Sequence, residues 1–179
     1  GQDVEGYVYD TPDSLAWREE TAILCRTNFS LFKNAMALRA NKKEFRFERD
    51  ISADLYRTLD VHWLRVDERD RIRDELIRSF GDIEELTDYA EALEDYQLLK
   101  MVDIVEEYEP EFPDIVFELL QLCRERGERR EASITLSTIH AAKGQEYEHV
   151  VLDEDVISNI GGPEGGSRTE EEINAVYVG

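Results

Sequence analysis

The sequence predicts an α/β protein whose sheet is interrupted by an all-helical insertion. Three runs of apolar and β-branched residues, Thr21–Arg26, Ser133–Ile139 and Val150–Leu152, have the length and composition of buried strands. Between the first two runs, from about Ile51 to Arg126, apolar residues recur at helical spacing. We therefore expect residues 1–50 and 127–179 to form one discontinuous α/β domain around a helical insertion at residues 51–126.

The first fifty residues predict alternating strands and helices. In order, we expect a strand at Gly6–Asp10, a helix at Leu15–Glu20, a strand at Thr21–Arg26, a helix at Phe29–Asn41 and an edge strand at Lys42–Phe47. The pair Thr27–Asn28 offers an N-cap to the second helix, because short polar side chains accept hydrogen bonds from the first turn of a helix.

The insertion contains apolar stripes that predict core-facing sides of successive helices. The stripes are Leu55, Leu59, Trp63 and Val66; Ile72, Leu76 and Phe80; Ile83, Leu86, Ala90 and Leu93; Leu98, Val102 and Val105; and Ile115, Leu119 and Leu122. Gly81, Pro110, Pro113 and Gly127 separate them.

The charge is strongly acidic, with 42 Asp and Glu against 21 Lys and Arg and a formal net charge of -21. Because phosphate contacts need clustered cations, any nucleic-acid binding must be local or shared with another domain. Acid is concentrated between Asp82 and Glu118, which predicts a solvated helical face, with a docking surface for a basic protein partner as the alternative. The more balanced stretch Ser30–Phe80 is the better candidate for a DNA contact.

The two cysteines, Cys25 and Cys123, lie in apolar segments without metal-ligand spacing, which indicates reduced core residues and no metal site. No apolar run is long enough to span a membrane, and no signal peptide is evident. We therefore expect no membrane association and a bacterial cytoplasmic, nucleoid-associated or eukaryotic nuclear location.

The segment after the insertion predicts strand, polar turn and strand. The turn Thr138–Glu146 places a hydroxyl, an imidazole, an ammonium group and a carboxylate within nine residues, a set suited to a polyanion and a sugar. Considered alone, Lys143–Gly144 is an ordinary turn and His140 a surface residue. Three carboxylates at Asp153–Asp155 follow the second strand, then a glycine-rich crossover at Ser158–Ser167 and a helix at Thr169–Gly179.

The turn resembles motif V of the UvrD/Rep-type superfamily 1 DNA helicases, T-x-H-x-A-K-G-L-E-F. Matching positions are Thr138, His140, Ala142, Lys143, Gly144 and Glu146, with Tyr147 for the aromatic residue and Gln145 replacing the usual leucine. The resemblance implies that Gly144 and Glu146 bind the nucleotide, the glutamate through the ribose. It implies that Thr138 and His140 contact the single-stranded DNA backbone and that Lys143 couples the two sites.

The segment Ala22–Asn28 resembles motif IV of the same family, A-[IV]-L-x-R-[ST]-N. The resemblance makes Arg26 the catalytic arginine that contacts the γ-phosphate of ATP. A planar guanidinium suits this role because it stays charged and donates parallel hydrogen bonds. From the strand end alone, Arg26 is more simply a salt-bridge residue.

Together the motifs imply a RecA-like parallel sheet of the P-loop NTPase type. By this resemblance the chain is the second domain of a helicase and has no P-loop of its own. Thr169–Gly179 resembles the opening of motif VI but ends before that motif's arginine, and no G-x-x-x-x-G-K-[ST] loop is present. ATP and Mg²⁺ are therefore expected to be held mainly by an N-terminal RecA-like domain, and this chain is expected to be inactive alone.

The activity implied is ATP-dependent translocation on single-stranded DNA and duplex unwinding, 3′ to 5′ by family analogy. The short insertion and the phrase Thr87–Lys100 resemble the F-box DNA helicase branch. Two alternatives stay open. One is a non-catalytic acidic protein-interaction module with a degenerate RecA-like fold, and the other is a helicase–nuclease subunit.

Overall fold

The computed structural model describes residues 20–129 and 131–160. The strand predicted at Gly6–Asp10, the helix predicted from Leu15, the crossover from residue 161 onward and the helix predicted from Thr169 lie outside these residues. The chain divides into two compact units: Ile51–Arg124 forms one, and Gly1–Asp50 with Glu125–Gly179 forms the other.

The first unit is built on a four-stranded sheet in which every neighbouring pair is parallel. Its strands are β1 (Thr21–Cys25), β2 (Arg46–Phe47), β3 (Ile134–Thr138) and β4 (His149–Leu152), and their spatial order is β2-β3-β1-β4. Helices separate β1 from β2 and β2 from β3 in the sequence, whereas a loop connects β3 to β4. The predicted α/β fold is therefore confirmed.

β1 and β3 form the centre of the sheet. All five residues of β1 are buried, and its last residue, Cys25, is in register with Thr138, the last residue of β3. β4 differs from expectation, because Val150–Leu152 is only half-buried rather than covered on both faces. Among the described strands β4 lies at a sheet edge, and that position explains its partial exposure.

Helix α1 (Asn28–Ala40) begins directly after β1, within one residue of the prediction. Leu31, Phe32, Ala35, Met36 and Leu38 form its buried side, and Thr27 is its N-cap. The predicted edge strand Lys42–Phe47 is confirmed only at β2, because Lys42 has a left-handed φ of 54° that belongs to a turn. β2 ends at Phe47 and the second unit begins at Ile51, so only a short stretch of sequence separates them.

The second unit is entirely helical among its described elements. It contains α2 (Ser52–Arg65), a 3₁₀ turn (Arg69–Arg71), α3 (Glu75–Ser79), α4 (Ile83–Ala92), α5 (Tyr96–Tyr108) and α6 (Phe112–Glu125). α5 packs against both α2 and α4. Aspartates cap three helices: Asp74, Asp82 and Asp95 accept from the N–H groups of Ile77, Glu85 and Leu98.

Most members of the predicted stripes are buried, but Val66, Leu76 and Leu93 are exposed. Val66 and Leu93 are C-cap residues, where the chain leaves the helical path and periodicity ceases to define a face. Leu76 lies in the five-residue helix α3, which is too short to present a long stripe.

After β4 the chain forms α7 (Glu154–Ile160). The sequence predicted a flexible crossover from Ser158, and the structure instead places Ser158 inside this helix. Cys25 and Cys123 are buried free thiols. Among the described residues, no helix is both long and apolar enough to cross a membrane.

Candidate functional site

Arg26 lies at the carboxyl end of β1, where the chain turns into α1. Its backbone N–H donates to both carboxylate oxygens of Asp155, at 2.9 and 3.1 Å. Its side chain is exposed and makes no ion pair within the part of the chain that the structure describes. The backbone of Arg26 is therefore fixed while its guanidinium faces solvent.

Asp155 also holds the residue that caps α1. The N–H of Thr27 donates to Asp155 Oδ2 at 3.0 Å, and the Thr27 hydroxyl lies 3.1 Å from the same oxygen. Thr27 Oγ1 in turn accepts from Ser30 N–H at 3.1 Å, as an N-cap does. One carboxylate from α7 thus satisfies two backbone donors and orients the hydroxyl that starts α1.

A second carboxylate, Asp153, lies deeper in the same network. Asp153 Oδ2 accepts from Asn34 Nδ2 at 2.6 Å, and Asp153 Oδ1 accepts from Asp155 N–H at 3.0 Å. Burial, together with repulsion from Asp155, raises the pKa of the Asp153 carboxyl above its ordinary value. Burial, with smaller contributions from Asp153 and Asp155, also raises the pKa of the neighbouring Cys25 thiol above its ordinary value.

The loop between β3 and β4 starts with a turn closed by Thr138. The Thr138 hydroxyl oxygen accepts from Ala141 N–H at 3.2 Å, and its carbonyl accepts from Ala142 N–H at 3.0 Å. Ala142 is buried against Ala22 and Leu24 of β1. The turn is therefore closed by its own hydrogen bonds and anchored to β1 by the packing of Ala142.

Gly144 has a φ of +79°, in the left-handed region that favours glycine. A Cβ built there would meet nothing within 4 Å, so the glycine is required by backbone conformation and not by lack of space. The next residue, Gln145, is exposed. The buried packing of this turn on β1 is supplied by Ala142.

Tyr147 ties the end of the loop to the segment after β2. Its hydroxyl donates to Glu48 Oε2 at 3.2 Å, and Arg46 pairs with the same oxygen at 3.2 Å. Burial and the adjacent Glu48 carboxylate raise the pKa of Tyr147 to about 12. The aromatic position of the loop therefore has an anchoring role.

The structure brings Arg26 and Thr138 to the same edge of the sheet. Cys25 and Thr138 are paired, and the Ile139 N–H extends the ladder to Cys25 O at 2.9 Å. His140, Lys143 and Glu146 are exposed on the loop and, among the described residues, their side chains make no hydrogen bond or ion pair. Arg26 and Thr138 therefore share the carboxyl edge of the sheet, whereas the loop that carries His140, Lys143, Gly144 and Glu146 runs from this edge to His149, which pairs with Thr21 at the start of β1.

Sequence reasoning missed the residues that build this edge: Asp155, Asp153 and Asn34. The signal for the first two was the run Asp153–Asp155, noted as three carboxylates after a strand. Their partners could not be identified because Asp155 bonds to residues about 130 positions earlier in the chain. Asn34 was not identified from the sequence, because a single polar residue in a helix gives no local signal of its partner.

Within the described residues, no group of three or more His, Cys, Asp or Glu side chains is arranged to hold a metal ion. A nucleotide phosphate could meet the free guanidinium of Arg26, but not the N–H groups of Arg26 and Thr27, which Asp155 already occupies. An anion at this strand end would therefore meet the side chain of Arg26 and not its backbone.

Comparison of the chain with protein-family models, with curated proteins and with solved structures gave no match.

Proposed function

We propose that this chain is the second RecA-like domain of an ATP-dependent DNA helicase of the UvrD/Rep type. The observation that carries the proposal is the pairing of Cys25 with Thr138, which brings both motif segments to one edge of a parallel sheet. In open α/β sheets, ligands bind outside the carboxyl ends of the strands. Cys25 and Thr138 are about 110 residues apart in the sequence, and their pairing at this edge supports the proposal.

Arg26 supplies the phosphate contact in this proposal. Its backbone is held by Asp155 and its guanidinium is unpaired among the described residues, so no intramolecular ion pair must break before it binds phosphate. Bound ATP with Mg²⁺ supplies the scissile phosphoanhydride. An arginine that stabilises the charge of phosphoryl transfer contributes about 10³ to 10⁵ in rate.

The β3–β4 loop supplies the remaining contacts. Thr138 uses its hydroxyl oxygen as an acceptor inside the loop, which leaves its hydrogen to donate to a DNA phosphate. His140 and Lys143 are exposed donors on the same loop, and Glu146 is an exposed acceptor for a ribose hydroxyl. The chain is acidic and this loop offers only a few cations. This charge distribution agrees with DNA binding that is shared between two domains.

The chain carries no phosphate-binding P-loop motif, so the proposed enzyme needs a partner RecA-like domain for ATP and Mg²⁺. Closure of the two domains on ATP, and opening after hydrolysis, would move the sheet edge along one DNA strand. Family analogy gives the direction as 3′ to 5′.

The test is ATP hydrolysis measured with and without single-stranded DNA, for the chain alone and for a protein joining it to a P-loop RecA-like domain. We expect no turnover from the chain alone and DNA-stimulated turnover from the joined protein. Turnover by the chain alone, or a joined protein that folds and binds ATP but never responds to DNA, would overturn the proposal.

A further inference from the structure

Two arginines that are far apart in the sequence meet at one tyrosine in the second unit. The Arg73 guanidinium lies over the Tyr56 ring, with its carbon 4.6 Å from the ring centroid. Arg124 Nη2 lies 3.4 Å from the Tyr56 hydroxyl oxygen. Tyr56 belongs to α2, Arg73 precedes α3 and Arg124 is near the end of α6, so the fold rather than local sequence assembles this group.

Both guanidinium groups are exposed, and neither forms an ion pair with a carboxylate of the described residues. This is unexpected in so acidic a chain. The nearest acid in sequence, Asp74, is already engaged: one oxygen accepts from Ile77 N–H at 3.0 Å and the other pairs with Arg57 at 3.3 Å. Two guanidinium groups that have no carboxylate partner among the described residues therefore meet at the Tyr56 side chain.

We propose that Tyr56, Arg73 and Arg124 form a binding site for a phosphate group. Two guanidinium groups repel each other when alone, and an anion between them converts this repulsion into two charge-assisted contacts. Phosphate fits because its several oxygens accept from both planar forks at once. The tyrosine hydroxyl adds a neutral donor beside them.

The arginines also lower the pKa of the Tyr56 hydroxyl, chiefly through the Arg124 contact. The direction of this shift agrees with the proximity of both guanidinium groups to the Tyr56 hydroxyl. The phosphate can come from a nucleic-acid backbone or from a free phosphate. The site is independent of the proposed ATP site, because every residue that forms it lies in the second unit.

The test measures binding of a fluorescent oligothymidylate to the intact chain by anisotropy, over a series of salt concentrations. Inorganic phosphate is titrated separately while the NMR signals of the arginine Nε–H groups are followed. The variants are Arg73→Ala, Arg124→Ala and Arg73→Lys. The matched control is Arg78→Ala, which removes the same charge from an exposed arginine of α3 outside the group.

For the nucleic-acid source, Arg73→Ala and Arg124→Ala should each weaken oligonucleotide binding about tenfold and reduce the salt slope by about one. Arg73→Lys should weaken binding less, because it keeps the charge and loses the fork. If only inorganic phosphate binds, with shifts confined to Arg73 and Arg124, the source is a free phosphate. Loss of binding in Arg78→Ala as large as in the site variants, or no binding of either probe, would overturn the proposal.

Discussion

Asp155 accepts hydrogen bonds from the backbone N–H of Arg26, at 2.9 and 3.1 Å, although 129 residues separate them. The contact joins the helix after β4 to the turn after β1. The geometry of the proposed phosphate-binding arginine is therefore set by a carboxylate that belongs to neither motif.

Replacing Asp155 with alanine should loosen the start of α1. The substitution removes the acceptor of two backbone N–H groups and of the capping hydroxyl, which should lower the free energy of unfolding by about 2 kcal/mol. Amide exchange at Arg26 and Thr27 should accelerate at least tenfold, because a loss of about 1.4 kcal/mol corresponds to a factor of ten in the opening equilibrium. Glu154→Ala, at an exposed neighbour, is the control, and equal effects in both variants would contradict this role.

The raised pKa of Asp153 predicts a specific pH dependence of stability. The folded protein retains this proton to a higher pH than the unfolded chain, whose carboxyl has its ordinary value of 3.8. The stability of the wild type relative to Asp153→Asn should therefore fall as pH rises from about 4 through the folded-state pKa. Urea unfolding of both proteins over this range measures the difference, and a wild type that gains relative stability with rising pH would refute the prediction.

Gly144→Ala should be destabilising through backbone strain alone. The residue has a φ of +79° and open space around it, so the cost should be about 1 kcal/mol and no clash should arise. Gly127→Ala is the matched control, because Gly127 has equal space without a left-handed φ. Thermal unfolding should separate the two variants, and equal melting temperatures would show that the loop relaxes around alanine.

Tyr147→Phe should detach the loop from Glu48 and lower stability by about 1 kcal/mol. The pKa of about 12 also predicts that stability depends on pH in the alkaline range. Because the folded-state pKa is above the unfolded value of 10.0, the proton contributes stability below pH 10 that is lost as pH rises toward 12. The free energy of unfolding should therefore fall less with rising pH in Tyr147→Phe than in Tyr96→Phe. The second variant is the control, because it removes an exposed phenol. Identical profiles would argue against the anchoring role.

The central part of the fold could be predicted because local patterns specify it. β1 and α1 have an unbroken apolar run, a threonine cap and an apolar helix face, and the structure follows them within one residue. β4 was predicted to be more buried than it is. A short apolar run does not reveal whether a strand lies at the centre or the edge of a sheet.

The long-range polar network could not be predicted. Asp153 and Asp155 were visible as an acidic run, but their partners Asn34, Arg26 and Thr27 are brought to them only by the order of the strands. Likewise, nothing in the spacing of Tyr56, Arg73 and Arg124 indicated that two helices and the segment before α3 would place them together.

The most direct test of the account is single-stranded-DNA-stimulated ATP hydrolysis by the protein that joins this chain to a P-loop domain. Arg26→Ala should reduce turnover by at least about 10³-fold with folding and ATP binding retained. Lys43→Ala, which removes an exposed cation beyond the far end of α1, should leave turnover unchanged. Wild-type turnover in Arg26→Ala would contradict the assignment of this sheet edge as the nucleotide site.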